Sequence, residues 1–309
     1  MKIVFMGTPE FAVPSLRALV ENDYNVVGVI TQPDRPKGRG GKMQKSPVKL
    51  YAEEKGLNIF QPEKLKNDVA TLKNLSPDIC VTAAFGQILS QEILDIPKYT
   101  VNVHASLLPR HRGAAPIQWA ILSGDSHTGV STMLTDKGID TGDILLQESC
   151  EILPSDNAET LSTKLAEMGA ELLIKTLEQI EQINPQKQDN SLSTYDPMIE
   201  KQLGCIDFTE DAEYIERLSR AMHLWPRAFF ISESGGTYKL SDMKLLPKSG
   251  EEPGTVIKAD KDNGIVIATN TKDIALLRIA APNKKEMDTK AYLLGNEVKT
   301  GINYKQAFK

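Results

Sequence analysis

The stretch Val101-Asn102-Val103-His104-Ala105-Ser106-Leu107-Leu108-Pro109-Arg110-His111-Arg112-Gly113-Ala114-Ala115-Pro116 decides how the chain is read. It opens as a β-branched run and changes abruptly to polar, Pro and Gly chemistry. An apolar pattern returns at Ile117-Gln118-Trp119-Ala120-Ile121-Leu122. That predicts a buried strand, a structured loop, and a helix with Pro116 in its first turn, where a missing N–H costs nothing. Asn102 and His104 are two apart, so in a strand both point to the same face. An amide donor and an imidazole at the carboxyl end of a strand suit a reaction in which a carbonyl oxygen gains charge. In open α/β sheets that end is where ligands bind.

Working outward, the N-terminal side alternates strands and helices. Residues 2–6 form a strand, and Gly7-Thr8-Pro9-Glu10 turns into a helix running to about residue 20. Thr8 is the expected N-cap, with Pro9 at the first helical position. A strand over 25–30 completes a strand–helix–strand opening, which predicts a right-handed parallel unit. The first turn has one Gly where a dinucleotide fingerprint needs three, so NAD binding is unsupported. Residues 31–46 read as a loop, 47–55 and 66–74 as helices, 58–60 and 79–84 as strands. On the other side, 129–134 and 144–150 are extended, and 157–183 is a long helix. The pattern is α/β with a mostly parallel, Rossmann-like sheet.

Residues 184–203 are polar, with Pro185 and Pro197 and little periodicity, and read as a linker draped over the first domain. Past Cys205 one helix (211–222) precedes short extended pieces at 228–232, 237–240, 255–259, 264–268 and 274–280. Turn signals such as Gly235-Gly236 and Pro253-Gly254 separate them, as in a small antiparallel barrel or sandwich. The expected domains are 1–189, a linker at 190–204, and 205–309.

The 309 residues are 40% hydrophobic, enough for real cores. No stretch approaches the roughly 20 apolar residues of a spanning helix, and Met1–Gly7 lacks a signal peptide's length and cleavage site. Cys80, Cys150 and Cys205 fit neither a disulfide framework nor a zinc spacing. The simplest expectation is a cytoplasmic, reduced, metal-free protein.

The net charge of −5 argues mildly against a nucleic-acid partner, but it hides a local exception. Arg35, Lys37, Arg39, Lys42, Lys45 and Lys49 make six cations over 35–49 with no carboxylate between them. The rest of residues 1–204 carries 14 Lys+Arg against 26 Asp+Glu. A Gly-punctuated cationic loop on an acidic body suits phosphate contact at least as well as a solvated surface. It has no aromatic residue, so base stacking is not its role.

Asp140 sits in the turn Asp136-Lys137-Gly138-Ile139-Asp140-Thr141-Gly142-Asp143, placed to reach the same end of the sheet as Asn102 and His104. Plain turn chemistry explains such Asp/Gly runs too. A calcium loop is a poor fit, lacking an EF-hand's terminal Glu. Together Asn, His and Asp suit acyl-type transfer: Asn102 and protonated His104 donate to an oxyanion, and Asp140 favours the imidazolium. No Ser or Cys sits in a nucleophile elbow, so direct transfer from donor to acceptor is favoured. Phe85, Ile88 and Leu89 suit an apolar cleft or core packing equally.

These residues carry a resemblance. Asn102-Val103-His104-Ala105-Ser106-Leu107-Leu108-Pro109, Arg112-Gly113-Ala114-Ala115-Pro116-Ile117-Gln118 and Asp140-Thr141-Gly142-Asp143-Ile144-Leu145 resemble the signature of 10-formyltetrahydrofolate-dependent formyltransferases. Gly7-Thr8-Pro9 with Thr31-Gln32-Pro33-Asp34-Arg35-Pro36-Lys37-Gly38-Arg39-Gly40 narrows it to the branch acting on methionyl initiator tRNA. Leu224-Trp225-Pro226 and Pro253-Gly254-Thr255 resemble that branch's C-terminal domain. The resemblance implies a Rossmann-like formyltransferase domain and a C-terminal OB-like barrel that helps hold tRNA. It implies Asn102, His104 and Asp140 as the catalytic set. It places 10-formyltetrahydrofolate near Phe85, Gly86, Ile88, Leu89, Ser106, Leu107, Leu108 and Pro109, and the acceptor stem near Arg35, Lys37, Arg39, Lys42 and Lys45. No metal or membrane is implied, and a monomer is expected.

Three rivals stay open on the sequence. One is a formyltransferase with a small amine acceptor, such as a nucleotide-sugar or glycinamide ribonucleotide. Another is a non-catalytic RNA-binding protein. The third is a hydrolase that strips the formyl group with water as acceptor.

Overall fold

The computed structural model describes residues 1–37, 41–232 and 235–304. Its contacts divide into two units that interleave along the chain. The first comprises Met1–Pro116, His127–Glu151 and Leu161–Pro197. The second comprises Ile117–Ser126, Ile152–Thr160 and the residues from Met198 onward.

The first unit is built on a seven-stranded sheet. Its strands, numbered in chain order, are β1 (Lys2–Gly7), β2 (Asn25–Ile30), β3 (Ile59–Phe60), β4 (Ile79–Ala83), β5 (Tyr99–His104), β6 (His127–Leu134) and β7 (Ile144–Glu151). The spatial order is β7-β6-β5-β4-β1-β2-β3. The five strands from β1 to β5 pair in parallel, and β6 and β7 are antiparallel. The parallel strands read as near-continuous apolar runs because both faces are covered. Ile3 and Phe5 of β1 face one core with Val29, Val81, Val101 and Val103, under Leu16, Leu19, Leu173 and Leu177 from two helices. Val4 and Met6 face the other, with Ile30, Cys80, Leu65, Leu72 and Phe85. The alternation along one strand thus builds both cores. Gly169 lets its helix approach β5: a Cβ there would lie 2.7 Å from Val103 Cγ1.

Several local expectations change. Thr8 does not cap a helix. A 3-10 turn at Glu10–Ala12 comes first, and the α-helix runs Val13–Glu21 with Ala12 at its N-cap. The Thr8 hydroxyl instead donates to the Phe85 carbonyl (3.3 Å). Within 31–46, read as a loop, Arg35–Lys37 and Lys42–Gln44 form a hairpin, with Lys37 opposite Lys42. Residues 190–204, read as a linker, contain 3-10 turns at Asn190–Leu192 and Lys201–Gly204. Tyr195–Asp196 is a strand paired in parallel with Arg112–Gly113. The long helix ends at Glu178, where the sequence reading carried it to 183.

The second unit holds a six-stranded antiparallel sheet. Its order is Ala228–Ile231, Thr237–Leu246, Asp273–Ala280, Gly264–Ala268, Val256–Asp260, and Met287–Asp288 pairs with Asp273–Ala280. Thr237–Leu246 runs ten residues where the sequence reading ended it at 240, because its outward positions are polar and its ladder partner is long. Helix Ala212–Ala221 buries Ala212, Ile215, Leu218, Ser219 and Ala221 on one face. Phe230 lies centrally among Phe208, Tyr238 and Tyr304, with centroids 5.0–5.6 Å away. Two upstream segments complete this unit. Arg217 Nε donates to the Leu122 carbonyl (3.1 Å) and Arg220 Nη1 to that of Asp156 (2.9 Å).

Ser46 gives a test of the first unit. It caps helix Pro47–Glu54 by accepting from Lys49 N (3.1 Å), and it pairs with the fully buried Thr31 hydroxyl (2.8 Å). Ser46→Ala is expected to destabilise that unit by about 1–2 kcal/mol in urea unfolding. A midpoint unmoved by the substitution would show that neither bond contributes.

Candidate active site

The carboxyl ends of β4 and β5 bring the candidate residues together. Thr82 and Asn102 face each other in register on these neighbouring strands. The Thr82 hydroxyl donates to Asn102 Oδ1 (2.8 Å). That fixes the amide, because only the oxygen accepts, so Nδ2 is turned the other way. It points at Asp140 Oδ1, 3.5 Å off. His104, at the end of β5, is 6% exposed. Its Nε2 lies 2.8 Å from the His111 carbonyl oxygen. A carbonyl accepts and never donates, so Nε2 carries the hydrogen and Nδ1 is left for chemistry. Nδ1 faces Asp140 Oδ1 at 3.6 Å.

Asp140 adopts φ 55°, a left-handed conformation that Asp tolerates. Its other carboxylate oxygen accepts from Gly113 N (2.9 Å). Gly113 has φ 112°, and a Cβ there would fall on the Asp196 carbonyl oxygen, so only glycine fits. One carboxylate therefore gathers a backbone N–H, an amide and an imidazole. The amide and imidazole contacts are longer than ordinary charged hydrogen bonds, and a reacting group or water fits beside them. Asp136 is different. It accepts from Gly138 N (2.9 Å) and Thr141 Oγ1 (2.7 Å), which is plain turn chemistry.

Around these atoms lies a second set that the sequence reading missed. Gln188 Nε2 donates to the carbonyls of Asp140 (2.9 Å) and Gly142 (2.7 Å). The buried His111 and Asp196 meet at 2.7 Å, Nδ1 to Oδ2. Thr82 gave no signal in a β-branched run. Gln188 and Asp196 lie over 40 residues from the atoms they hold, so no spacing rule reaches them.

The residues expected around the folate divide by burial. Ser106 is fully buried, and its hydroxyl donates to the carbonyls of Arg110 (2.7 Å) and His111 (3.3 Å). It is a tie inside the loop, with no hydroxyl left for a ligand. Phe85 and Leu89 are packed into the core beside Met6 and Ile93. Leu108 is buried against Met133 and Ile144. Leu107 and Pro109 are half-buried, and Gly86 and Ile88 are exposed, Ile88 by 79%. The Phe85 carbonyl accepts from Gln32 Nε2 (3.3 Å) as well as Thr8, so the 85–89 loop is held from β1 and β2.

The basic run is compensated in space, which corrects the reading of it as free of acids. Arg35 pairs with Glu63 (2.6 Å), Lys45 with Glu53 (2.7 Å) and Lys49 with Asp34 (2.8 Å). Lys45 is raised above the ordinary lysine range, chiefly by its hydrogen bond to Glu53. Lys42 stands exposed on the hairpin. Arg39 lies outside the described residues.

Neither the buried Cys80 nor the half-buried Cys205 is an activated nucleophile. Burial pushes Cys80 up to about 12 and, with Asp207 nearby, Cys205 up to about 11. Among the described residues, no cluster of three or more His, Cys, Asp or Glu is arranged as metal ligands, and no helix is long and apolar enough to cross a membrane.

Known proteins resemble this chain along nearly its whole length. The formyl transferase family model matches residues 1–177, and the formyl transferase C-terminal domain model matches 198–297. A methionyl-tRNA formyltransferase of Caldanaerobacter subterraneus subsp. tengcongensis is 44% identical, covering 97% of this chain and 99% of its own. That of Sulfurihydrogenibium sp. is 46% identical over 98% of this chain and all of its own. Among solved structures, the N-formyltransferase of Helicobacter canadensis, in complex with folinic acid and dTDP-3-aminofucose, shares the fold. Its TM-score is 0.69 at 22% identity, covering 89% of this chain and 99% of that one. With full-length identity of this order and both family models in sequence, the chain belongs to the methionyl-tRNA formyltransferase family.

Proposed function

We propose that the protein transfers a formyl group from 10-formyltetrahydrofolate to the α-amino group of methionine on initiator tRNA. The observation that supports the site assignment is the convergence of the Asn102 amide, His104 Nδ1 and Gly113 N on one carboxylate, Asp140. The neutral amine attacks the formyl carbon and an N–C bond forms. A free α-amino group has a pKa of about 7.7–8.0, so much of it is already neutral and no strong base is required. The oxyanion is met by Asn102 Nδ2 and, in the imidazolium form of His104, by its Nδ1–H, the ring donor not held by the backbone. As the folate N10–C bond breaks, the departing nitrogen takes a proton from His104 or from a water held by Asp140, and the attacking nitrogen gives up its own proton to that same group, which restores it. Folate lies against the exposed Gly86 and Ile88 and the half-buried Leu107 and Pro109. Phe85, Leu89 and Leu108 form the wall beneath.

The Lys37–Lys42 end of the hairpin meets the acceptor stem. Residues 1–189 carry the chemistry, 190–204 connect, and 205–309 hold the tRNA. The protein works as a monomer in the cytoplasm, where its charged acceptor is used.

Three outcomes test this reading. His104→Ala or Asn102→Ala is expected to cost on the order of 3–4 kcal/mol in kcat/KM, by analogy with deleted oxyanion donors. Near-normal transfer to charged initiator tRNA in His104→Ala would remove the mechanism. Thr82→Val, which leaves Asn102 free to turn, is expected to cost about 1 kcal/mol in kcat with folate affinity kept. On the hairpin, Lys42→Ala is expected to raise the KM for tRNA and reduce its log–log salt slope by roughly 0.7–0.9. Lys45→Ala, already neutralised by Glu53, is expected to change both less. Equal effects would show that the ion pair opens on binding.

A further inference from the structure

The catalytic assignment above leaves a question that the geometry answers: what keeps His104 and Asp140 in place. His104 ends β5, but its ring is oriented from outside the strand. Asp140 lies in a turn, and the His111 carbonyl that holds His104 lies in a loop. His111 itself has φ 60°, a conformation a bulky residue adopts only when its surroundings enforce it.

One short segment, 188–196, touches both. At its start, Gln188 Nε2 donates to the backbone of Asp140 and Gly142. Gln188 Oε1 accepts from Arg112 Nε (2.9 Å), and Asn190 Oδ1 from Arg112 Nη2 (2.9 Å). Arg112 is 7% exposed, and among the described residues no carboxylate pairs with it. A buried cation held by two amide oxygens is a demanding arrangement, and it persists only while 188–190 stays docked. Further along, Thr194 accepts from the His111 amide through Oγ1 (2.8 Å), and its carbonyl accepts from Arg112 N (3.0 Å). At the far end, the Asp196 carboxylate meets the His111 ring, and its carbonyl accepts from Ala114 N (3.0 Å). The His111 residue is therefore held by its amide and its ring, and its carbonyl is left facing His104 Nε2.

We propose that the 188–196 segment is a positioning strap for the catalytic pair. Gln188 sets the Asp140 turn, and Asp196, through His111, holds His104 in its Nε2–H form with Nδ1 toward Asp140. Gln188 and Asp196 are positioning residues, since neither reaches the reacting atoms. The inference rests on the reading of His104 and Asp140 as catalytic. The strap imposes geometry that the strand ends alone do not. A displacement of about 1 Å in such a group is enough to cost about a hundredfold in rate.

The test uses the full chain labelled with 15N. Long-range proton–nitrogen spectra report the His104 tautomer, assigned by the signals lost in His104→Asn. Asp196→Asn removes the carboxylate charge facing the His111 ring and keeps the side-chain shape. Gln188→Glu keeps the acceptor for Arg112 and loses the donor to Asp140 and Gly142, and it serves where Asp196→Asn fails to fold. In Asp196→Asn the expected result is a His104 spectrum averaged over both tautomers. In both variants kcat falls about ten- to a hundredfold, with the KM for the folate within about twofold. A folded variant with the native His104 spectrum and native kcat overturns the strap and leaves the catalytic assignment standing. Full turnover in His104→Asn itself overturns that assignment, and the strap with it.

Discussion

The site depends on one carboxylate on which a backbone N–H, an amide and an imidazole converge. Asp140 comes from a turn after β6, Gly113 N from the loop after β5, and Asn102 and His104 from β5 itself. Each partner is in turn oriented by something behind it. Thr82 orients Asn102, the His111 carbonyl orients His104, and the Asp196 carbonyl leaves room for no side chain at Gly113. Remove the carboxylate, and the amide and the imidazole lose the common point that aims them.

The sheet order explains why this happens here. β1 is central, with β2 on one side and β4 and β5 on the other. The helices that follow β1 and β4 pack on opposite faces of the sheet, so the carboxyl ends of these two strands form the switch point at which open α/β sheets bind ligands. The antiparallel β6 brings Met133 beside Asn102 and Ser131 beside His104. The Ser131 hydroxyl donates to the Ser106 carbonyl (2.6 Å) and accepts from Leu108 N (3.1 Å), which ties down the loop leaving His104. A strand added at the edge of the parallel set thus serves as the anchor for the loop.

Much of this was legible in the sequence, and what was not has a physical reason. Asn102 and His104 were readable because a strand's period of two is strict. Asp140 was readable because Asp and Gly mark turns. The strand at 25–30 and the helix after Ser46 agree with the structure almost to the residue. The hairpin within 31–46 was missed because its strands are three residues each and polar. The ion pairs of Arg35, Lys45 and Lys49 were missed because charge counting along a chain does not see Glu63, Glu53 and Asp34 across a fold. Thr82, Gln188, His111 and Asp196 matter through tertiary contacts alone. A polar, aperiodic stretch such as 188–196 reads as a connector, since its order comes from what it docks on.

The interleaving of the two units bears on how the chain is made. Ile117, Ala120, Ile121 and Leu122 form a nearly all-apolar helix belonging to the second unit. A ribosome releases them well before residues 198–304, which complete that unit. For the time needed to translate that remainder, a greasy helix hangs from a nascent first domain with nothing native to cover it. Such surfaces are the ones that chaperones shield and that aggregate when crowded. The enzyme that prepares the first residue of new proteins thus carries an uncovered apolar helix while its own last third is being built.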